Sequence, residues 1–312
     1  MVLLSLSFVS LLQKIPGACA QGLLWGIMAL GVYITYRILD FADLTVDGSL
    51  ATGGAVAVML IRMGISPFVA LIAAFASGMA AGFVTGILHT ALGIPGILSS
   101  ILTQISLYSI NLNIMGKSNQ AINVDQYRLV VSLRYLSGDT PTLIKFYGGV
   151  VLGCLLLIAV LYCYFGTEQG AAIRATGCNK SMAKAQGINT NFHTVLALMI
   201  SNGLVGLCGG LYAQYQGAAD VNMGRGAIVI GLAAVIIGEV LFGKLCSGKR
   251  FTFAYTMMAV IGGAVIYYVV IAFVLWMKMP SEDMKLFSAI VVAVFLSIPY
   301  LKEKYGRKGV AA

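Results

Sequence analysis

Residues 66–88 read SPFVALIAAFASGMAAGFVTGIL, an apolar run without a charged side chain. As a helix this run is about 35 Å long, enough to cross the hydrocarbon core of a bilayer. Gly78, Gly82 and Gly86 recur at every fourth position, a doubled GxxxG spacing that lets neighbouring helices approach closely. The stretch therefore predicts a transmembrane helix packed tightly inside a bundle or dimer.

The rest of the chain has the same character. Of its 312 residues, 59% are hydrophobic and 10% are charged, and the mean hydropathy is +0.92. A soluble domain carries about 25% charged residues and could not hide this much apolar surface. We predict an all-α, polytopic membrane helix bundle of about nine spans, within a range of eight to ten. The predicted spans lie near 18–37, 46–63, 66–88, 92–115, 142–165, 193–213, 227–243, 251–276 and 285–301.

The net charge of +9 is concentrated in short loops and the tail, which indicates topology rather than nucleic-acid binding. Basic residues in short loops mark the cytoplasmic side, so we place 166–192, 244–250 and the tail at 302–312 inside the cell. Alternation then puts 116–141 outside. With nine spans the N-terminus is outside, and it moves inside if residues 1–13 help to form another span.

Residues 1–17 have an apolar core like that of a secretory signal. No positive charge precedes that core, since Lys14 follows it. We interpret 1–17 as a retained interfacial or partly inserted helix. A cleaved signal and a lipid-modified Cys19 are the alternatives.

The sequence contains no residue set typical of catalysis or metal binding. The six cysteines form no CxxC pair, and the two histidines, His89 and His193, are far apart. The loop GKLCSGKR at 243–250 approaches a phosphate-binding P-loop, but Arg250 stands where Ser or Thr would reach the magnesium ion. We expect no cofactor in this chain. An energy source other than an ion gradient therefore has to come from another chain.

Two short stretches predict an inverted internal repeat. ADLTVDG at 42–48 follows the first span, and ADVNMGRG at 219–226 follows the sixth. In the assigned topology they lie on opposite sides of the membrane, an arrangement typical of transporters whose substrate crosses at the repeat interface. The spans at 46–63 and 92–115 contain glycine or proline, so we expect them to be broken or re-entrant.

Polar side chains at membrane depth are candidates for a translocation path or gate. The candidates are Asp43, Asp47, Asn111, Asn202 and Glu239. The alternative for the two aspartates is a salt-bridged turn in which they cap the next helix. Glu239 either lines a path or pairs with a basic residue of the loop beyond it. For the two asparagines, hydrogen bonds between helices are the alternative.

Residues 167–188, TEQGAAIRATGCNKSMAKAQGI, form the longest polar interruption of the second half of the chain. Alanine and glycine give the first part a small face, and Gly177 and Asn179 offer a break. Residues 181–186 can resume as a second short helix that ends at Gly187. Such a pair can dock closely into a partner's groove while its basic side chains meet acidic positions at the rim.

This segment resembles the cytoplasmic coupling loop of ABC-importer permeases, and specifically that of the branched-chain amino acid, ribose and nucleoside permease family. The family pattern G-x-A-x-R-A-x-G-x-N … A … G-I is matched by Gly170, Ala172, Arg174, Ala175, Gly177, Asn179, Ala183, Gly187 and Ile188. Residues 39–56 and 206–243 resemble the subgroup paired with binding proteins for amino acids. The resemblance covers about residues 20–301.

The resemblance implies a single permease domain over residues 1–312, in the cell membrane of a prokaryote, with 166–192 as the coupling loop. It implies a dimer of permeases, here a homodimer, with two ATPase subunits that bind ATP and magnesium, and an extracytoplasmic binding protein. The residues expected to couple to the ATPase are the matched positions together with Lys180 and Lys184. An amino acid is the expected substrate, with a nucleoside or sugar as alternatives. An ion-coupled transporter that uses Glu239 and the aspartates is the alternative mechanism.

Overall fold

The computed structural model describes residues 8–124, 127, 129–132, 140–246 and 252–276, with 286, 289–290, 292–295 and 297. The described chain is mostly helical. Its elements are α1 (Phe8–Tyr33), a π-helical turn (Ile34–Ile38), α2 (Thr45–Arg62), α3 (Pro67–Thr90), α4 (Gly96–Met115), β1 (Asn119–Ala121), α5 (Thr140–Phe165), α6 (Glu168–Cys178), α7 (Lys180–Ala185), α8 (Thr190–Gln216), β2 (Ala218–Asp220), α9 (Ala227–Cys246) and α10 (Thr252–Trp276). Residues 8–17 are the first part of α1, continuous with the first predicted span.

The all-α membrane bundle is confirmed, but the count of about nine spans is not. Six helices in the described part of the chain are long and apolar enough to cross a membrane. They are Lys14–Ile38, Pro67–Thr90, Gly96–Met115, Phe146–Phe165, Thr190–Gln216 and Thr252–Trp276. The predicted span at 46–63 is the more polar helix α2, and 227–243 is a shorter apolar helix within α9. The span at 285–301 lies mostly outside the described residues, as do the tail at 302–312 and the loop at 247–251.

Helix α8 lies at the centre of the bundle, and the opening stretch packs against it. A Cβ atom at Gly78 would lie 2.9 Å from the carbonyl carbon of Asn202, and one at Gly82 would lie 2.7 Å from that of Leu198. Carbon atoms in contact are normally about 3.5–4.0 Å apart. The backbones of α3 and α8 are therefore closer than any side chain at these glycines would permit, as the GxxxG spacing predicts.

Helices α2 and α4 are continuous, so the prediction that 46–63 and 92–115 are broken is wrong. Gly53 of α2 does not interrupt the helix. A Cβ atom there would lie 2.6 Å from the carbonyl carbon of Gly206, so glycine serves the contact with α8. Pro95 precedes the first residue of α4, where a proline ring is tolerated because the helix has not yet begun.

The irregular backbone lies instead in two connections that turn back into the bundle. Residues 39–44 lead from the π-helical turn to α2, and residues 217–226 lead from α8 to α9. The second connection starts beside β1, where Asp220 pairs with Asn119 in an antiparallel ladder. It then runs along α2 as far as Asp47, which is about 22 Å along the helix axis from Arg62. Helix α9 therefore begins beside Asp47 of α2.

Candidate functional site

A polar cavity of about 340 Å³ lies between α2, α4 and the end of the second re-entrant connection. Its polar lining residues are Asp47, Gln104, Tyr108, Ser109, Asn111 and Arg225. The cavity thus brings together two of the predicted path residues, Asp47 and Asn111. The other three, Asp43, Asn202 and Glu239, lie outside its lining.

Asp47 joins the two halves of the predicted repeat. One carboxylate oxygen accepts a hydrogen bond from the backbone N–H of Gly226 at 2.9 Å, and the other accepts one from that of Ile228 at 3.0 Å. These are N–H groups at the start of α9, which have no partner inside their own helix. Asp47 therefore caps α9, and its negative charge lies at the positive end of that helix dipole. The ADLTVDG and ADVNMGRG stretches meet at this contact.

Asp43 and Asn202 belong to a buried hydrogen-bond network beside the cavity. The side-chain amide of Asn202 donates to Asp43 at 2.6 Å, and Asp43 also accepts from the backbone N–H of Thr45 at 2.9 Å. The hydroxyl of Ser49 donates to the amide oxygen of Asn202 at 2.6 Å. A buried carboxylate needs such partners. The network fixes the first re-entrant connection to the middle of α8, and Asp43 caps its own helix as the alternative interpretation predicts.

Glu239 pairs with Arg37, with 3.0 Å between Oε1 and Nε. The expected partner was a basic residue in the loop beyond α9. Among the described residues the partner is Arg37 of the π-helical turn, because α9 packs alongside α1. The basic side chains of the loop at 244–250 lie outside the described residues. The Arg37 side chain is 60% exposed and that of Glu239 is 30% exposed, so solvent screens the pair.

The segment at 167–188 folds as the sequence predicts, into two short helices separated by a break. Thr167 caps α6 by accepting from the N–H of Gly170, and Asn179 caps α7 by accepting from that of Met182 at 3.0 Å. Arg174, Lys180 and Lys184 are exposed, whereas Ala172 and Ala175 are half-buried and Ala183 is buried. The α6–α7 pair therefore presents a basic outer surface.

The α6–α7 pair contacts the rest of the bundle at two points. A Cβ atom at Gly177 would lie 2.8 Å from the carbonyl carbon of Ile38, at the end of the π-helical turn. Lys180 Nζ lies 3.4 Å from Nε2 of His89, and His89 Nδ1 lies 2.8 Å from the carbonyl oxygen of Ile94, just before α4. The α6–α7 pair is therefore in contact with the residues that precede α2 and with the residues around the start of α4.

Phe41 connects these two points. Its ring lies in edge contact with that of His89, at 5.2 Å between ring centroids. A Cβ atom at Gly96 would lie 2.6 Å from Cε2 of the Phe41 ring, so the ring packs directly on the first residue of α4. Contacts thus run from Gly177 through Ile38 and Phe41 to α4, which lines the cavity.

A family model described as a branched-chain amino acid transport system permease component matches residues 16–298. The chain belongs to this permease family. It is 43% identical to the tyrosine transport system permease protein of Clostridioides difficile (strain R20291), over 92% of this chain and 91% of that protein. It is 27% identical to the ribose import permease protein RbsC of Escherichia coli (strain K12), over 72% of this chain and 67% of that protein. The chain is thus a membrane permease component of an ABC transporter, a class of subunit that works with ATPase and binding-protein partners.

The fold agrees with that assignment. PsaBC from Streptococcus pneumoniae, solved in complex with a Fab, matches with a TM-score of 0.50 at 16% sequence identity, over 94% of each chain. At this identity the likeness concerns the arrangement of helices alone.

In this permease, sequence reasoning missed Arg225 and Tyr108 as cavity residues and His89 as a contact of α7. A signal for Arg225 was present. It is a basic residue within one of the two repeat stretches, in a loop assigned to the outside, where basic residues are depleted. His89 gave no such signal, because its contact with Lys180 joins positions on different helices.

Proposed function

We propose that this permease is the membrane subunit of an ATP-driven amino-acid importer and that α6–α7 is its contact with the ATPase. The observation that carries the proposal is the packing of Gly177 against Ile38. Through this contact the exposed, basic α6–α7 pair lies directly against the π-helical turn, which is followed by residues 39–44 and by α2 at the cavity. A docked ATPase that moves α6 has to move the π-helical turn as well.

The proposed contact surface consists of the residues that match the family pattern and their basic neighbours. They are Gly170, Ala172, Arg174, Ala175, Gly177, Asn179, Lys180, Ala183, Lys184 and Gly187. Because this surface is basic, we assign the α6–α7 end and the C-terminus to the cytoplasm of a prokaryotic cell. The β1–β2 end then faces the binding protein. ATP and magnesium bind to the ATPase subunits, and a second copy of this chain completes a homodimer.

The amino-acid substrate is supported by the tyrosine transport permease at 43% identity, against 27% for the ribose permease. An ion-coupled carrier is less well supported, because the carboxylates that it would use are engaged. Glu239 pairs with Arg37, Asp43 bonds Asn202, and Asp47 caps α9.

The test is uptake by the complex purified from native membranes and reconstituted in proteoliposomes with its binding protein. We expect uptake of radiolabelled L-tyrosine or L-leucine that requires ATP inside the vesicle and continues when ionophores abolish the ion gradients. Uptake that needs no ATP and disappears with the gradient would overturn the proposal. An Arg174→Glu variant should lose the ATPase during purification, because the charge of the docking surface is reversed.

A further inference from the structure

We infer that the cavity between α2 and α4 is a binding site for a zwitterionic amino acid, in which Arg225 holds the α-carboxylate and Asp47 faces the α-ammonium. The inference rests on the proposed function of this chain as an amino-acid importer. It adds the place at which the permease itself recognises the substrate and the chemistry of that recognition.

The first observation is the pair of charges on the cavity wall. Asp47 and Arg225 both line it, and the other lining residues are uncharged. Within the described residues neither makes an ion pair with the other or with a third group. Backbone N–H groups at the start of α9 occupy part of the Asp47 carboxylate, which has about four acceptor positions in all. Arg225 is exposed and Asp47 is half-buried, so both side chains are accessible from the cavity. A ligand that carries both a carboxylate and an ammonium group could contact both charges at once.

The second observation is an unsatisfied amide. Asn111 is only 1% exposed, and neither its Nδ2 nor its Oδ1 has a hydrogen-bond partner in the described structure. Buried polar side chains nearly always have a partner, so an orphan on a cavity wall indicates a ligand that supplies one. The Asn111 amide can donate a hydrogen bond to a carboxylate and accept one from an ammonium group. A zwitterionic amino acid carries both of these groups.

The third observation is the shape of the cavity. A volume of about 340 Å³ lies at the lower end of the range of about 300–1,000 Å³ typical of small-molecule sites. Ile105 and Tyr108 provide an apolar and aromatic surface for a side chain, and Gly48 and Ala51 add small residues to the lining. The guanidinium fork of Arg225 suits bidentate binding of a carboxylate. A neutral sugar would leave both charges unpaired.

The decisive variants are Arg225→Gln and Arg225→Lys, tested in the complete complex reconstituted with its ATPase and binding protein. Loss of a hydrogen-bonded charge contact should lower the uptake of radiolabelled L-tyrosine about 10- to 100-fold. Arg225→Lys keeps the charge but loses the fork, so its uptake should lie between those of wild type and Arg225→Gln. Lys117→Gln is the matched control. It removes an exposed charge after α4, outside the cavity lining, and its uptake should stay within about twofold of wild type.

Asn111→Leu removes both polar ends of the amide and keeps a branched side chain with the same number of heavy atoms. Asn113→Leu makes the same change at an exposed position of the same helix. We expect about tenfold lower uptake for the first and little change for the second. Size-exclusion chromatography checks that each complex assembles. If Asn111→Leu does not assemble, the Arg225 variants decide.

The two proposals fail in different ways. If the wild-type complex takes up L-tyrosine and Arg225→Gln takes it up equally well, the proposed binding site is wrong and the proposed importer function is supported. ATP-dependent uptake of D-ribose without uptake of any amino acid overturns the proposed substrate, and the zwitterion site with it.

Discussion

Replacing Gly177 by alanine should uncouple ATP hydrolysis from transport. The new Cβ atom would lie 2.8 Å from the carbonyl carbon of Ile38 and 2.9 Å from Cα of Leu39. Carbon atoms pack at about 3.5–4.0 Å, so α6 and the π-helical turn would have to separate by about 0.7 Å or more. Both opposing atoms belong to the backbone, so no side-chain rotation can relieve the overlap.

The stability of the variant should fall, because the opposing atoms belong to the backbone and cannot move freely. Overpacking costs about 1–3 kcal/mol, and replacing glycine by alanine within a helix returns up to about 1 kcal/mol. The net cost of about 0–2 kcal/mol lies within the stability of an ordinary domain. We therefore expect an assembled complex in which α6 still binds the ATPase but no longer drives the turn that precedes Asp43.

The measurement is the number of amino-acid molecules taken up per ATP hydrolysed in proteoliposomes. Gly177→Ala should lower that ratio about tenfold while ATP hydrolysis continues. Gly153→Ala is the matched control, because a Cβ atom there meets nothing within 4 Å. Gly78→Ala is a second control, with a similar overlap at α8 but far from α6. It should cost a similar amount of stability without changing the ratio. A wild-type ratio in Gly177→Ala would refute the mechanical link.

Three further predictions concern the contacts around the cavity. Asn202→Ala leaves the buried Asp43 carboxylate without its amide donor, so it should lower the free energy of unfolding by about 3 kcal/mol, measured by thermal unfolding. Adding Asp43→Asn to that variant should recover part of the loss. A double-mutant cycle with Arg37→Gln and Glu239→Gln should give a coupling free energy of at most about 1 kcal/mol that falls with added salt, because solvent screens the pair. A larger value that does not depend on salt would show that the ion pair is not screened. Phe41→Ala should lower uptake, because it removes the ring between His89 and Gly96. It should leave ATPase binding, measured by co-purification, nearly unchanged, because α6–α7 stays intact. Equal loss of uptake and of ATPase binding would contradict the proposed path of contacts.

The features that the sequence predicted well depend on neighbouring residues. The four-residue spacing of Gly78, Gly82 and Gly86 defines one face of a helix whatever the partner. Thr167 and Asn179 can each cap the helix that follows because the N–H groups they accept from are three residues away. Spacing and capping are local properties, so the α6–α7 pair and the tight crossing of α3 could be predicted without knowing the fold.

The features that the sequence did not predict depend on distant residues. Gly53 suggested a break, yet it packs against Gly206, and only the fold brings these positions together. Asp47 suggested a cap for its own helix, and it caps α9 instead. The count of about nine spans is likewise not confirmed in the described residues, because hydropathy reports the length of an apolar run and not where in the bundle α2 or α9 begins.

The capping of α9 by Asp47 has a consequence for biosynthesis. The carboxylate and its N–H donors are 179 and 181 residues apart in the chain. At a synthesis rate of about 5–20 residues per second, the ribosome reaches Ile228 about 10–40 s after it has made Asp47. During that interval an acidic side chain enters the membrane with its helix before its partners exist. The nascent chain therefore depends on water, the insertion machinery or a chaperone at this position, and truncation before Gly226 should leave it a target for membrane proteases.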